Sequence, residues 1–453
     1  MMIQAMETPD PTIHRIKQLI WLYFWLLIFE GALRKWVVPS LSTPLLIVRD
    51  PVILLIYWLA LSTGKMPRTR FIPWILSLAF LDLLASFFGD GNIKVTLYGL
   101  RTDFLHLPLI FLIGEIFTPD DVKKMGKWVL ILSVPMALLA FQQFRSAPDA
   151  RINAGAGGEI GAQLFAADGR IRPAGTFSFI TGMVCFLSFV AAFVLFDFLQ
   201  KKQYPRSLNL LALLALGLSL GVSGSRSALL TVSLVLATAV GASLLKGRFF
   251  SATLKPILAI YAVFLILSFI PLFKEGLAVQ HERFTGAGGF REGIFDRFMD
   301  DFSFGFQAAS SAPILGCGLG IGTNAGAGIL TGSRNFLLAE GEWARAVMES
   351  GPILGFAFIG LRIALLVYLS RRALNALNRG AILPSLLLGV VGIDLLTGQF
   401  SQPTAMGFVI LGSGLCIAAA RSMEVEPVIE TLAPSSTTIR GRSRYAEALH
   451  GKS

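Results

Sequence analysis

The sequence predicts an all-α, polytopic membrane protein with about twelve transmembrane helices and a large external loop between the ninth and tenth. Three observations carry this. Of 453 residues, 54% are hydrophobic and only 15% charged, against about a quarter in soluble domains, and mean hydropathy is +0.68. Apolar runs such as LIWLYFWLLIF (19–29), MVCFLSFVAAFVLFDFL (183–199) and FVILGSGLCIAAA (408–420) recur along the whole chain. Lys and Arg concentrate in alternate connecting segments, as the positive-inside rule requires.

Taken in order, stretches long enough or nearly so for a ~30 Å hydrocarbon core lie near 17–33, 43–62, 71–88, 97–117, 128–144, 177–199, 208–222, 227–245, 256–273, 343–369, 381–398 and 404–420. Residues 1–16 are polar, and the first apolar run lacks a small-residue cleavage site, so the first span is expected to be a retained signal anchor. Segments 63–70, 118–127, 200–207, 246–255 and 370–380 carry three Lys or Arg each. Segment 30–42 carries two, 89–96 and 221–226 one each, and 399–403 none. The first set is therefore expected in the cytoplasm, together with both termini. The domain reading is a cytoplasmic N-terminus (1–16), a transmembrane domain (17–420) and a disordered basic cytoplasmic tail (421–453) containing RGRSRY at 440–445.

Two long segments then fall outside. Residues 145–176 are rich in Gly, Ala and Arg, and 274–342 contain REGIFDRFMDDFSFGF (291–306) and GCGLGIGTN (316–324). Ile294, Phe295, Phe298, Met299, Phe302 and Phe306 form one apolar helical face. Such a helix either lies on the outer membrane surface or packs on the outer end of the bundle.

Several functions are excluded. The net charge of +11 resides in short loops between apolar runs, which argues against nucleic acid as a partner. Cys185, Cys317 and Cys416 are far apart and His14, His106, His281 and His450 are scattered, so neither a disulfide framework nor a metal site is expected, and no cofactor. The glycines at 316, 318, 320 and 322 do not satisfy GxGxxG, and no P-loop is present. They are read instead as permitting tight turns close to a ligand or to the bundle.

The charges that demand an explanation are in LAEGEWARAVMESGP (338–352), where Glu340, Glu342, Arg345 and Glu349 stand at the mouth of an apolar run. On a helix, Glu342, Arg345 and Glu349 share one face. They form either a helix start with Arg345 paired to Glu349 or a working site. Arg172 precedes the sixth span in RIRPAGTF, Arg226 lies in VSGSRSALL, and Arg101 opens the fourth span near Asp103 and His106. Arg34 and Lys35 are read as snorkelling anchors. A guanidinium fork suits phosphate oxygens, so arginines converging on an external cavity would bind an anionic lipid headgroup. Gly351 and Gly355 are expected to let this span pack closely, and Pro352 to kink it.

The segments RPAGTF (172–177), SGSRSALL (223–230), PILGCGLGIGTN (313–324) and ESGPILG (349–355), in this order within 20–420, resemble the O-antigen ligase and polymerase superfamily of bacterial envelope glycosyltransferases. The resemblance implies a polyprenyl-diphosphate-linked oligosaccharide donor and a glycan acceptor at the outer face of the bacterial inner membrane. It implies no nucleotide sugar, metal or cofactor, and other polysaccharide assembly proteins as partners. By position, Arg172 and Arg226 would hold the diphosphate, with Arg345, Glu349 and Arg101 at the substrate. A carboxylate, Glu342 in preference to Glu340, would deprotonate the acceptor hydroxyl, with Arg345 beside it. Ligases of the family place a His-Asn pair nine residues before the glutamate of the last segment; here that position is Glu340, followed by Gly341 and Glu342. This departure favours a polymerase for exopolysaccharide or O-antigen synthesis over a ligase. From other classes, a transporter or flippase of lipid-linked glycan and a non-catalytic assembly protein remain open.

Overall fold

A hydrocarbon core offers no water to backbone N–H and C=O groups, so an apolar segment must close its hydrogen bonds internally as a helix. Each of the apolar stretches does so. The computed structural model describes residues 10–89, 92–200, 203–247, 249–286, 295–332 and 337–421. The predicted tail beyond Arg421, with RGRSRY, lies outside the described residues, as do 1–9 and 291–294.

α1 (Pro11–Ala32) is capped by Asp10, whose side chain accepts from Thr12 N, and continues through a π-turn at Leu33–Val37. After α2 (Ser42–Leu45), α3 (Asp50–Ser62) and α4 (Phe71–Ser86), the fourth apolar stretch is split into α5 (Ile93–Leu100) and α6 (Leu109–Ile116) by a π-turn at Arg101–Leu105. α7 (Pro119–Arg145) starts on a Thr118–Asp121 capping box. α8 (Ile180–Leu199), α9 (Arg206–Val222), α10 (Arg226–Leu245), α11 (Phe249–Leu267) and α12 (Pro271–Thr285) follow. Then come α13 (Arg297–Ser311), α14 (Asn324–Thr331), α15 (Glu342–Asn378), α16 (Leu383–Thr397) and α17 (Pro403–Arg421). No β-strand occurs among the described residues.

Among the described residues, eight helical segments are long and apolar enough to cross a membrane, or nine if the bent pair α11–α12 is one span, which makes this a multi-pass membrane protein by length and composition. α4, α9 and α16 are apolar but shorter, at 16, 17 and 15 residues. The stretch predicted as a single span at 256–273 is broken: the chain turns by 109° between α11 and α12, because Pro271 cannot continue the preceding helix. α17 is the most enclosed span and packs on α6 through reciprocal glycines. A Cβ on Gly114 would stand 2.6 Å from Ile417, and one on Gly414 2.6 Å from Ile113.

Within the amphipathic segment, α13 packs on the N-terminal end of α15, with the Phe302 ring 4.6 Å from Trp343, while Phe295, Met299 and Phe304 stay exposed. α15 itself is broken at Gly351 (φ 77°, ψ 167°), and Pro352 restarts the helix. Gly355 serves this break and not a neighbouring span. A Cβ there would stand 2.6 Å from Val347 Cα of the same helix.

Candidate functional site

The first half of α15 carries Glu342, Arg345 and Glu349 on one face, as their spacing predicts, and all three are buried at 1–2% exposure. The Arg345 guanidinium spends every N–H on carboxylates. It bonds Glu342 through Nε (3.0 Å) and Nη2 (3.0 Å), Asp103 through Nη1 (3.2 Å) and Nη2 (2.8 Å), and Glu349 through Nη1 (2.6 Å). Glu342 Oε1 also accepts from Arg362 Nη1 (2.7 Å) and Phe400 N (3.3 Å). Arg362 in turn donates to the carbonyls of Leu395 (2.8 Å), Asp394 (3.2 Å) and Gly398 (2.7 Å), closing the C-terminus of α16. With no N–H of Arg345 left for a phosphate and both Glu342 oxygens engaged, this network orders the site. It is not arranged as an open diphosphate pocket.

The glycine-rich stretch explains itself against this network. Gly322 N donates to Glu349 Oε1 (2.7 Å), Cys317 N to Met348 O (2.8 Å) and Gly318 N to Glu349 O (2.9 Å), so the loop satisfies carbonyls freed by the break at Gly351. On its other side Leu319 N bonds Ser86 Oγ (3.1 Å) at the end of α4, and Gly320 lies against Val95 and Gly99 of α5. Side chains at 316 and 320 would collide with backbone, since a Cβ would come within 2.1 Å of Glu349 O and 2.2 Å of Val95 O. The glycines permit contact with the bundle, one of the two roles expected of them.

Glu340 and Asp301 line the mouth of α15. Glu340 is exposed, and its carbonyl accepts from Gln399 Nε2 (2.6 Å). Gly341, the N-cap residue, has no side chain to offer, and the Asp301 carboxylate of α13 stands beside the backbone N–H groups of Glu342 and Trp343, which favour its charged form. Burial, reinforced by the neighbouring Glu342 carboxylate, pushes Asp301 up to about 6. Trp343 Nε1 reaches Leu396 O (3.0 Å), tying the same mouth to α16.

Arg172 and Arg226 belong to a second group. Arg172 Nε donates to Phe165 O (3.0 Å) across a small hairpin, and its stem packs beside Gly224. Gly224 (φ 54°) lies in the Ser223–Arg226 turn, whose Ser225 Oγ accepts from Ala228 N to cap α10. From α12, Arg283 bonds the Gly224 carbonyl and Gln280 Nε2 bonds the Ser225 carbonyl (3.0 Å). Arg170 on the same hairpin is paired with Glu275 of α12 at 2.6 Å. An apolar cavity of ≈ 250 Å³ lies among α8–α12, lined from Gly221 and Leu229 to Leu236 and Pro256. Gln280 is its one polar lining side chain.

The remaining basic residues are held differently from expectation. Arg101 is paired with Asp50 (2.5 Å) and the Leu46 carbonyl (2.9 Å), while His106 bonds the other Asp50 oxygen (3.2 Å). Arg34 and Lys35 do not snorkel. Arg34 donates to Ser42 O (2.8 Å), and Lys35, 2% exposed, donates to Gly175 O (2.6 Å), because the 145–176 segment folds over this end of α1. The expected single convergence of arginines is thus resolved into a buried network around Arg345 and an arginine turn at 223–226.

Asp103, Arg362, Asp301 and Arg283 were not singled out as site residues. Asp103 and Arg362 are ionisable residues inside apolar runs, which is a signal by itself; Asp301 and Arg283 occur in ordinary polar surroundings, and only packing gives them a place. No protein-family model matches the chain, and no curated protein matches it either.

Proposed function

We propose that this protein is a polymerase of polyprenyl-diphosphate-linked oligosaccharide repeats, of the O-antigen ligase and polymerase type. In this reading the chain crosses the bacterial inner membrane twelve times, with both termini in the cytoplasm and the mouth of α15 outside. The observation that carries it is the apolar cavity among α8–α12, whose one polar lining side chain, Gln280, bonds the carbonyl of Ser225 in the Ser223–Arg226 turn. An apolar trough tied through Gln280 to a turn that carries Arg226 and accepts from Arg283 suits a lipid whose head is an anion. Arg172, Arg226 and Arg283 hold the diphosphate, and a carboxylate at the mouth of α15 takes the acceptor proton. The buried network around Arg345 keeps that mouth in place.

Arg283→Ala and Arg226→Ala are each expected to weaken polyprenyl diphosphate binding to the purified protein by about 10-fold or more, the range for losing a charge-assisted hydrogen bond. Unchanged affinity in both variants would remove the donor site from this end of the cavity. In the host, loss of the protein is expected to leave single repeats on the lipid. Long unattached chains would indicate a ligase instead. A transporter is the second reading, favoured by ionised groups buried in the broken helices α5–α6 and α15. It predicts repeats accumulating on the cytoplasmic face.

A further inference from the structure

We propose that Asp301, on the amphipathic helix α13, is the general base that deprotonates the acceptor hydroxyl, in place of either glutamate of the LAEGEW segment. The assignment rests on the polymerase reading. Of the carboxylates at the mouth of α15, Glu342 is buried between Arg345 and Arg362 with both oxygens in hydrogen bonds to them, and the two guanidinium groups hold it as the anion against taking up a proton. Glu340 is exposed in the segment before the helix, where water competes for it and nothing fixes its direction. Asp301 lies between these extremes. It is part-buried, and its Oδ1 faces the start of α15 beside Gly341. Oδ2 is itself buried and has no hydrogen-bond partner among the described residues, an orphaned acceptor that a hydroxyl entering the mouth of α15 would satisfy.

Its position is built in from both helices. The Phe302 and Phe306 rings clamp Trp343 on the next turn of α13, and Gly305 lets the two helices approach, since a Cβ there would meet Trp343 Cβ at 2.7 Å. Gly341 does the same for Asp301, because a Cβ at 341 would stand 2.6 Å from Asp301 Oδ1. The charged groups facing it from α15 are Glu342, which raises its affinity for a proton, and Arg362, which lowers it. Burial is the larger influence, and the result, about 6, suits a base working near neutral pH.

In the step itself, the acceptor hydroxyl gives its proton to Asp301 as its oxygen bonds to the anomeric carbon of the donor. The bond from that carbon to the diphosphate breaks, and polyprenyl diphosphate leaves with the electron pair, its charge met by the arginine turn. Asp301 then returns the proton to water.

The test uses the full-length protein and lipid-linked repeats extracted from host cells lacking it. Asp301→Asn keeps an oxygen to cap α15 but cannot take a proton. It is expected to slow extension by ~10²–10⁴-fold with polyprenyl diphosphate affinity and thermal unfolding unchanged. The wild-type rate is expected to fall as pH drops below about 6, where Asp301 becomes protonated. Asp301→Asn should lose that limb, and Asp301→Glu should recover it with part of the rate. If Asp301→Asn proves unfolded, the limb in Asp301→Glu decides: its absence overturns the assignment. Extension by Asp301→Asn near the wild-type rate overturns the assignment alone. Wild-type protein that neither binds polyprenyl diphosphate nor extends repeats overturns the polymerase reading, and this assignment with it.

Discussion

Arg345→Met is expected to lower the stability of the detergent-solubilised protein by about 3–5 kcal/mol, the cost of leaving buried charges without their partner. Asp103, Glu342 and Glu349 would keep their negative charge or take up protons at once, with only Arg362 left nearby. Arg345→Lys is expected to recover little, because an ammonium is a point charge with three donors and cannot reproduce a planar set of five. Adding Glu349→Gln to Arg345→Met removes one of the stranded carboxylates and is expected to return part of the loss. Denaturant or thermal unfolding of the three variants measures this. A loss for Arg345→Met within about 1 kcal/mol, the range of an exposed pair, would mean that the network is hydrated and not structural.

Gly316→Ala is expected to cost roughly 3 kcal/mol or more, from a side chain forced into a left-handed conformation (φ 74°) plus direct overlap with backbone. The overlapped atoms are Glu349 O at 2.1 Å and Gly351 N at 2.5 Å, neither of which can rotate away. The loop would have to leave the break in α15, and Gly322 N would release Glu349 with it. Gly241→Ala is the control. It sits within α10 with nothing within 4 Å of the added Cβ, and Ala there is expected to stabilise by up to about 1 kcal/mol. Similar losses for both substitutions would show that the glycine-rich loop is not locked against the helix.

The apolar stretches and their helical state are legible because burial in hydrocarbon leaves a backbone no alternative. The shared face of Glu342, Arg345 and Glu349 is equally legible, since helical periodicity is local. What a face touches is not local. Asp103 lies 242 positions from Arg345 and Arg362 is 20 from Glu342, so no spacing rule reveals that the face closes on itself. The same limit applies to Arg34 and Lys35, whose span-end position looks like a membrane anchor until the 145–176 segment is seen folded over them.

Sequence alone therefore determined that this is a multi-pass helical protein and that Glu342, Arg345 and Glu349 share one helix face. Composition and short-range periodicity suffice for each. Tertiary structure decided which charges are spent on one another. Arg345 is consumed by three carboxylates, Gln280 ties the Ser223–Arg226 turn to an apolar cavity, and Asp301 is brought to the start of a helix 41 residues later in the chain. The physical reason is that a guanidinium or carboxylate carries the same charge everywhere in a sequence, while its availability depends on the partners that folding places within hydrogen-bond reach.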